Sequence, residues 1–245
     1  VDLPDEPHTR GLGALKGELP GAKAVELPLA RVSIRARVAD RVAEITQEET
    51  FRNPHGEHLE ATYIFPLAGG AAVSAFELRV GDRVIQGIVQ ERGQARATYQ
   101  RALDEGRRAG LMEQERDDVF TVSVGNLPPG EEVTVRIACS ERLPCFDDGR
   151  TELRLPLVVA PRYIPGAPLP RDPVGDGVEL DTNVVPDASR ITPPRLAEGF
   201  DPKVSLSIEV ALAAEGAAGF SDLACSQHAT RTSFGSGAVT VALAR

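Results

Sequence analysis

The stretch that decides the fold runs from Asp118 to Ala138 and reads DVFTVSVGNLPPGEEVTVRIA. Two alternating runs flank Asn126-Leu127-Pro128-Pro129-Gly130, a cluster of chain breakers, so the stretch spells strand, turn and strand. Phe120, Val122 and Val124 share one face of the first run, and Val133, Val135 and Ile137 share one face of the second. A hairpin with both apolar faces turned to a core is predicted. No nucleophile, base or metal ligand stands out in it, which makes it scaffold.

The same alternation extends outward in both directions. Val32, Ile34, Ala36 and Val38 fall on one side of a run whose other side is Arg31, Ser33, Arg35 and Arg37. Ala43, Ile45 and Phe51 mark a second strand, and Leu59, Ala61, Tyr63 and Phe65 the inner face of a third. Phe76, Leu78 and Val80 lead into a Gly81-Asp82-Arg83 turn, after which 84–89 returns. Downstream, TELRLPLVV from Thr151, the run Leu206, Ile208, Val210 and Leu212, and the run Val239, Val241 and Leu243 resume the strand period.

One segment changes period. From 95 to about 111, Tyr99, Ala102, Leu103, Gly106 and Ala109 fall on one side of a helix, with Gly110 placed to cap its C-terminus. About ten strands and one helix, joined by short turns, give a mainly β chain: an antiparallel β-sandwich with one inserted α-helix at about 95–111. Residues 1–24 read as an extended lead-in and 25–166 as the sandwich domain. Nine of the 19 prolines lie between Pro161 and Pro202, so 167–202 reads as a Pro-rich linker that wraps the domain or leads away from it. Residues 203–245 begin a small additional β segment. The chain opens VDLPDEP without Met and stops directly after a strand, so a piece of a longer protein is expected.

A net charge of -9, from 27 Lys+Arg against 36 Asp+Glu, argues against a nucleic-acid surface, which needs a positive footprint. No apolar run reaches the ~18 residues of a membrane helix, so no membrane insertion is expected. Catalysis needs a nucleophile, base or metal in defined geometry. The serines at 123 (VSVGN) and 236 (GSG) lack the flanking pattern of a nucleophile elbow. His55 and His58 in HGEH sit in a Pro/Gly loop and not on one helix face. Asp172, Asp176, Glu179 and Asp181 offer oxygens to calcium without the spacing of an EF-hand. Cys139 and Cys145, six apart, are spaced for a bridge, yet Cys139 is in phase with Val133, Val135 and Ile137 as a buried thiol; the sequence leaves both readings open. No catalytic, cofactor-binding or metal residue is assigned, and no cofactor is expected.

Three stretches read in order carry a resemblance: LEATYIFPL from Leu59, the long run AAVSAFELRVGDRVIQGIVQERGQARATYQRALDEGRRAGLMEQERDDVFTVSVGNLPPGEEVTVRI from Ala71, and LRLPLVVAPRYIPG from Leu153. Together they strongly resemble the VIT (vault protein inter-alpha-trypsin) domain, over about Leu27 to Gly166. The run from Val204 to Phe234, with a Ser-x-His element at Ser226 and His228, is similar to the β segment that usually follows it. In that family a von Willebrand type A domain normally comes next, announced by D-x-S-x-S, a motif this sequence does not contain. Relatives often carry Gln where Glu49 stands, two residues before Phe51, so the chain departs from the family pattern there by a charge. The resemblance implies a non-catalytic interaction or scaffold module whose partner is protein, a von Willebrand A-type domain in cis and other proteins in trans. A structural subunit of a larger assembly and a hydrolase or transferase with dispersed catalytic residues are the alternatives.

Overall fold

The structure is a computed structural model that describes residues 15–18, 25–27, 29–53, 55–175, 177–193, 204–213, 222–235 and 237–244. The first seven strands are β1 (Leu15–Glu18), β2 (Val25–Leu27), β3 (Leu29–Ala39), β4 (Val42–Arg52), β5 (Leu59–Pro66), β6 (Ala72–Val80) and β7 (Arg83–Gln86). Helix α1 (Arg92–Asp104) follows. Then come β8 (Ala109–Arg116), β9 (Val119–Leu127), β10 (Glu132–Arg142), β11 (Ser205–Ala213), β12 (Thr230–Gly235) and β13 (Ala238–Leu243). They form two sheets, one in the order β2-β1-β5-β9-β8 and one in the order β12-β13-β11-β3-β4-β10-β6-β7. The chain is mainly β, as its alternation dictates.

The two runs of the deciding stretch are strands, but they are not a hairpin. β9 pairs with β5 and β8, whereas β10 pairs with β4 and β6 in the other sheet. The breaker cluster is therefore an arch from one sheet to the other. Alternation could not separate the two, because an arch and a hairpin present the same period of two residues. The arch explains why both runs are so apolar: Phe120, Val122 and Val124 meet Val133, Val135 and Ile137 in one core cluster, across the gap between sheets. Fully burying such a side chain is worth about 1.5–3 kcal/mol. Phe51 of β4 and Tyr63 of β5 join the sheets edge to face at 5.0 Å, and Tyr63, Phe65 and Phe120 continue the row of rings.

An arch through two prolines has no ladder to satisfy its carbonyls. Asn53, at the end of β4, supplies the donor. Its Nδ2 reaches the carbonyls of Leu127 (3.2 Å), Pro128 (3.0 Å) and Glu57 (3.0 Å). Its backbone also bonds Glu131 and Gly130, and its Oδ1 accepts from the amide of His55.

Helix α1 runs Arg92–Asp104 and not 95–111. Its start is hidden because Glu91, an unusual N-cap, accepts from the amide of Gln94. Its end is set by Gly106, whose φ of 68° breaks the helix, while the expected cap Gly110 sits inside β8 opposite Val124. Tyr99 and Leu103 face the sheet at Gly125 of β9. A Cβ built there would lie 2.0 Å from Leu103 Cδ2 and 3.2 Å from the Tyr99 hydroxyl, so only glycine lets the helix this close.

The TELRLPLVV run is extended chain with no ladder beyond one bridge between Cys145 and Thr151. Leu153, Leu155 and Leu157 still lie against the core. Farther on, Ile191 is buried with Ile64 and Val119 on the outer face of the first sheet. Arg190 pairs there with Glu113 and Glu115 of β8, which also hold Arg92 of α1, and Arg116 makes a two-pronged pair with Asp187. One pairing departs from the antiparallel rule: β11 lies parallel to β3, from Ser205 opposite Arg31 to Leu212 opposite Val38.

Candidate interaction surface

The eight-stranded sheet is wider than its five-stranded partner, and the excess lies at β11, β13 and β12. Register fixes which side chains share its inner face. Ile208, Val210 and Leu212 stand opposite Ile34, Ala36 and Val38, and Val210 and Leu212 stand opposite Val241 and Val239. Phe234 of β12 stands opposite Val239 and so points the same way.

Cover on this face is uneven and is thinnest at β12. Val239 is buried, Ile208, Val210, Leu212 and Val241 are half-buried, Leu206 is 36% exposed, and Phe234 is 81% exposed. β12 is also the last strand in its sheet, so its outer backbone edge has no partner among the described strands. An uncovered aromatic ring on an unpaired edge is suited to strand addition and apolar contact. It holds no group for proton or nucleophile chemistry.

The sequence candidates for chemistry are scattered. His58 is exposed, and His55, partly buried in the Asn53 loop, is apart from any ligand set. Among the described residues no group of three or more His, Cys, Asp or Glu could hold a metal ion. Asp181 is consumed by structure: its carboxylate accepts from the amide and hydroxyl of Ser189 and from the amide of Val174. Asp172 is exposed, Glu179 uses its amide on Thr192, and Asp176 and Ser236 lie outside the described residues. Ser123 Oγ lies 3.4 Å from Thr62 Oγ1 across the strands, and Ser226 and His228 are exposed. All three cysteines are free thiols, Cys139 buried and Cys145 and Cys225 exposed. Burial, helped by the charge of Glu141, pushes the Cys139 thiol up to about 11.

Glu49 is the unexpected member of the interior. Its carboxyl is buried beside Gln47, whose Nε2 donates to Oε1 at 2.6 Å, and Tyr63 faces it from the other sheet. It stands in phase with Ile45 and Phe51 on β4, an inward place that its charge kept the sequence from assigning.

Comparison with known proteins follows the same lines. The sequence model of the vault protein inter-alpha-trypsin domain matches residues 29–139. The mouse (Mus musculus) protein mono-ADP-ribosyltransferase PARP4 is 40% identical over 169 residues, which is 69% of this chain and 8% of that protein. The human (Homo sapiens) von Willebrand factor A domain-containing protein 5A is 33% identical over 139 residues, 56% of this chain and 18% of that protein. The chain thus spans less than a fifth of the length of either relative. A solved M1 zinc metallopeptidase from Deinococcus radiodurans superposes with a TM-score of 0.36 at 13% identity, covering 89% of this chain and 38% of that one. That likeness is too low to transfer fold or chemistry.

Proposed function

The chain carries a VIT domain over residues 29–139, and from that premise we propose that it is a non-catalytic module that works by docking to a folded protein domain, a von Willebrand A-type domain first. The observation that carries this reading is the uncovered end of the wide sheet, where Phe234 stands exposed on the unpaired edge of β12. The nature of the partner is supported by relatives whose names declare a von Willebrand factor A domain. A net charge of -9 makes the surface a poor one for phosphate polymers and leaves apolar and backbone contacts to supply affinity. Among the described residues no helix is long and apolar enough to cross a membrane.

Hydrogen exchange of this chain, alone and with a von Willebrand A-type domain appended after Arg245 or added in trans, tests the reading. Docking protects 204–213 and 230–243, and Phe234→Asp removes that protection without lowering the melting temperature. Exchange of β11 to β13 that is the same with and without the second domain refutes it.

A further inference from the structure

On the inner face of the wide sheet one row of cross-strand partners runs Leu206, Val32, Glu49, Val135, Leu78 and Ile85, through β11, β3, β4, β10, β6 and β7. Every member but Glu49 is apolar. Glu49 is only 4% exposed, and its Oε2 is buried without a hydrogen-bond partner. The groups facing it can be named element by element: Val32 on β3, Val135 on β10, and Gln47 and Phe51 on β4 itself do not titrate. Tyr63 on β5 does, and both burial and the charge of Glu49 push its phenol well above its ordinary value, so it stays protonated through neutral pH. No Lys or Arg stands among these neighbours. A carboxylate enclosed without a cation, with only the Tyr63 phenol and the Gln47 amide turned to it, is far costlier than a neutral carboxyl in the same place.

We propose that Glu49 is a proton-operated switch of the sandwich: with its proton it fits the closed core between β4 and β5, and without it the two sheets loosen there and admit water. Burial is the dominant influence on this carboxyl and raises it from 4.5 to about 7, with Tyr63 and Gln47 offsetting part of the effect. The folded state therefore holds its proton more tightly than the unfolded chain does. The resulting stabilisation is complete below 4.5 and is lost as pH rises through 7. Between those limits the folded-to-unfolded ratio falls about tenfold per pH unit, roughly 300-fold in all. The switching range lies near neutrality, where surface carboxylates have long finished titrating.

The test compares the full chain with its Glu49→Gln variant in urea unfolding from pH 5 to 8.5, alongside a carbon-13 titration of the Glu49 carboxyl in the parent. The parent should lose roughly 70-fold in folding equilibrium relative to the variant across this range, which starts above 4.5, and its Glu49 signal should titrate near 7. Amides of β4 and β5 should exchange faster above pH 7 in the parent alone, after correction for intrinsic rates. Every other ionisable group is common to both proteins, so its contribution cancels in the comparison. Parallel stability profiles, or a Glu49 signal titrating near its ordinary value, overturn the proposal. Should the variant fail to fold, the carbon titration of the parent decides alone.

Discussion

Replacing Asn53 by alanine tests the arch directly. The side chain is 1% exposed, and its Nδ2 serves the carbonyls of Leu127, Pro128 and Glu57. Leu127 and Pro128 are themselves buried, so truncation takes the side-chain donor from both carbonyls and leaves Pro128 only a long 3.5 Å bond from the Glu131 amide. Each buried group left unsatisfied costs about 1–3 kcal/mol. A water entering the vacated space recovers part of this, so the expected loss is about 3 kcal/mol. With a urea slope of about 3 kcal/mol/M, as suits a chain of this size, the unfolding midpoint should fall by about 1 M. Asn53→Asp sharpens the case, because it keeps the acceptor for the His55 amide and loses only the donor. It should be at least as damaging as alanine, since a carboxylate would face the two carbonyls. An alanine variant within about 0.5 kcal/mol of the parent, or an aspartate variant as stable as the parent, would refute the reasoning.

Other variants probe the packing. Phe120, buried in the core and 5.9 Å from the Phe65 ring, should cost about 3–5 kcal/mol as Phe120→Ala, read by thermal melting; a variant that melts like the parent would show the inward assignment to be wrong. Gly125→Ala should cost about 1–3 kcal/mol, because its new methyl collides with Leu103, and the loss should appear first as faster amide exchange in α1. Combining it with Leu103→Ala should cost less than the two changes added together, since the second removes the obstacle to the first.

Most of the sandwich is legible in period alone. Val32 to Val38, Tyr63 to Phe65 and Leu206 to Leu212 each announce a strand and its inner face, because a half-buried strand must alternate. What alternation does not encode is pairing. Nothing in Phe120 to Val124 and Val133 to Ile137 says whether the strands lie side by side or across a gap, and the answer depends on Asn53, more than 70 residues earlier. The parallel match of β11 with β3 is equally silent in the sequence, as it joins residues far apart in the chain. The helix boundaries were obscured by local chemistry, with Glu91 as an unusual cap and Gly106 ending the helix one turn before Gly110. The candidate surface was visible only in outline: Phe234 reads as one more strand residue until the unequal width of the sheets leaves it uncovered.

The parallel pairing of β3 has a practical bearing on how the domain can be cut. A fragment bounded at 29–139, where the family resemblance lies, would end inside β10 and remove β11 from the side of β3. An eleven-residue strand, Leu29–Ala39, would become the rim of the sheet. Its backbone groups, satisfied in the full chain by β11, would face solvent as a template for other chains, and its inward Ile34, Ala36 and Val38 would lose their neighbours Ile208, Val210 and Leu212. Outward Arg31, Arg35 and Arg37 would repel identical rims only weakly at physiological salt. Fragments meant to stay monomeric should therefore run through Leu243, so that a strand more than 160 residues downstream continues to cover the backbone of β3.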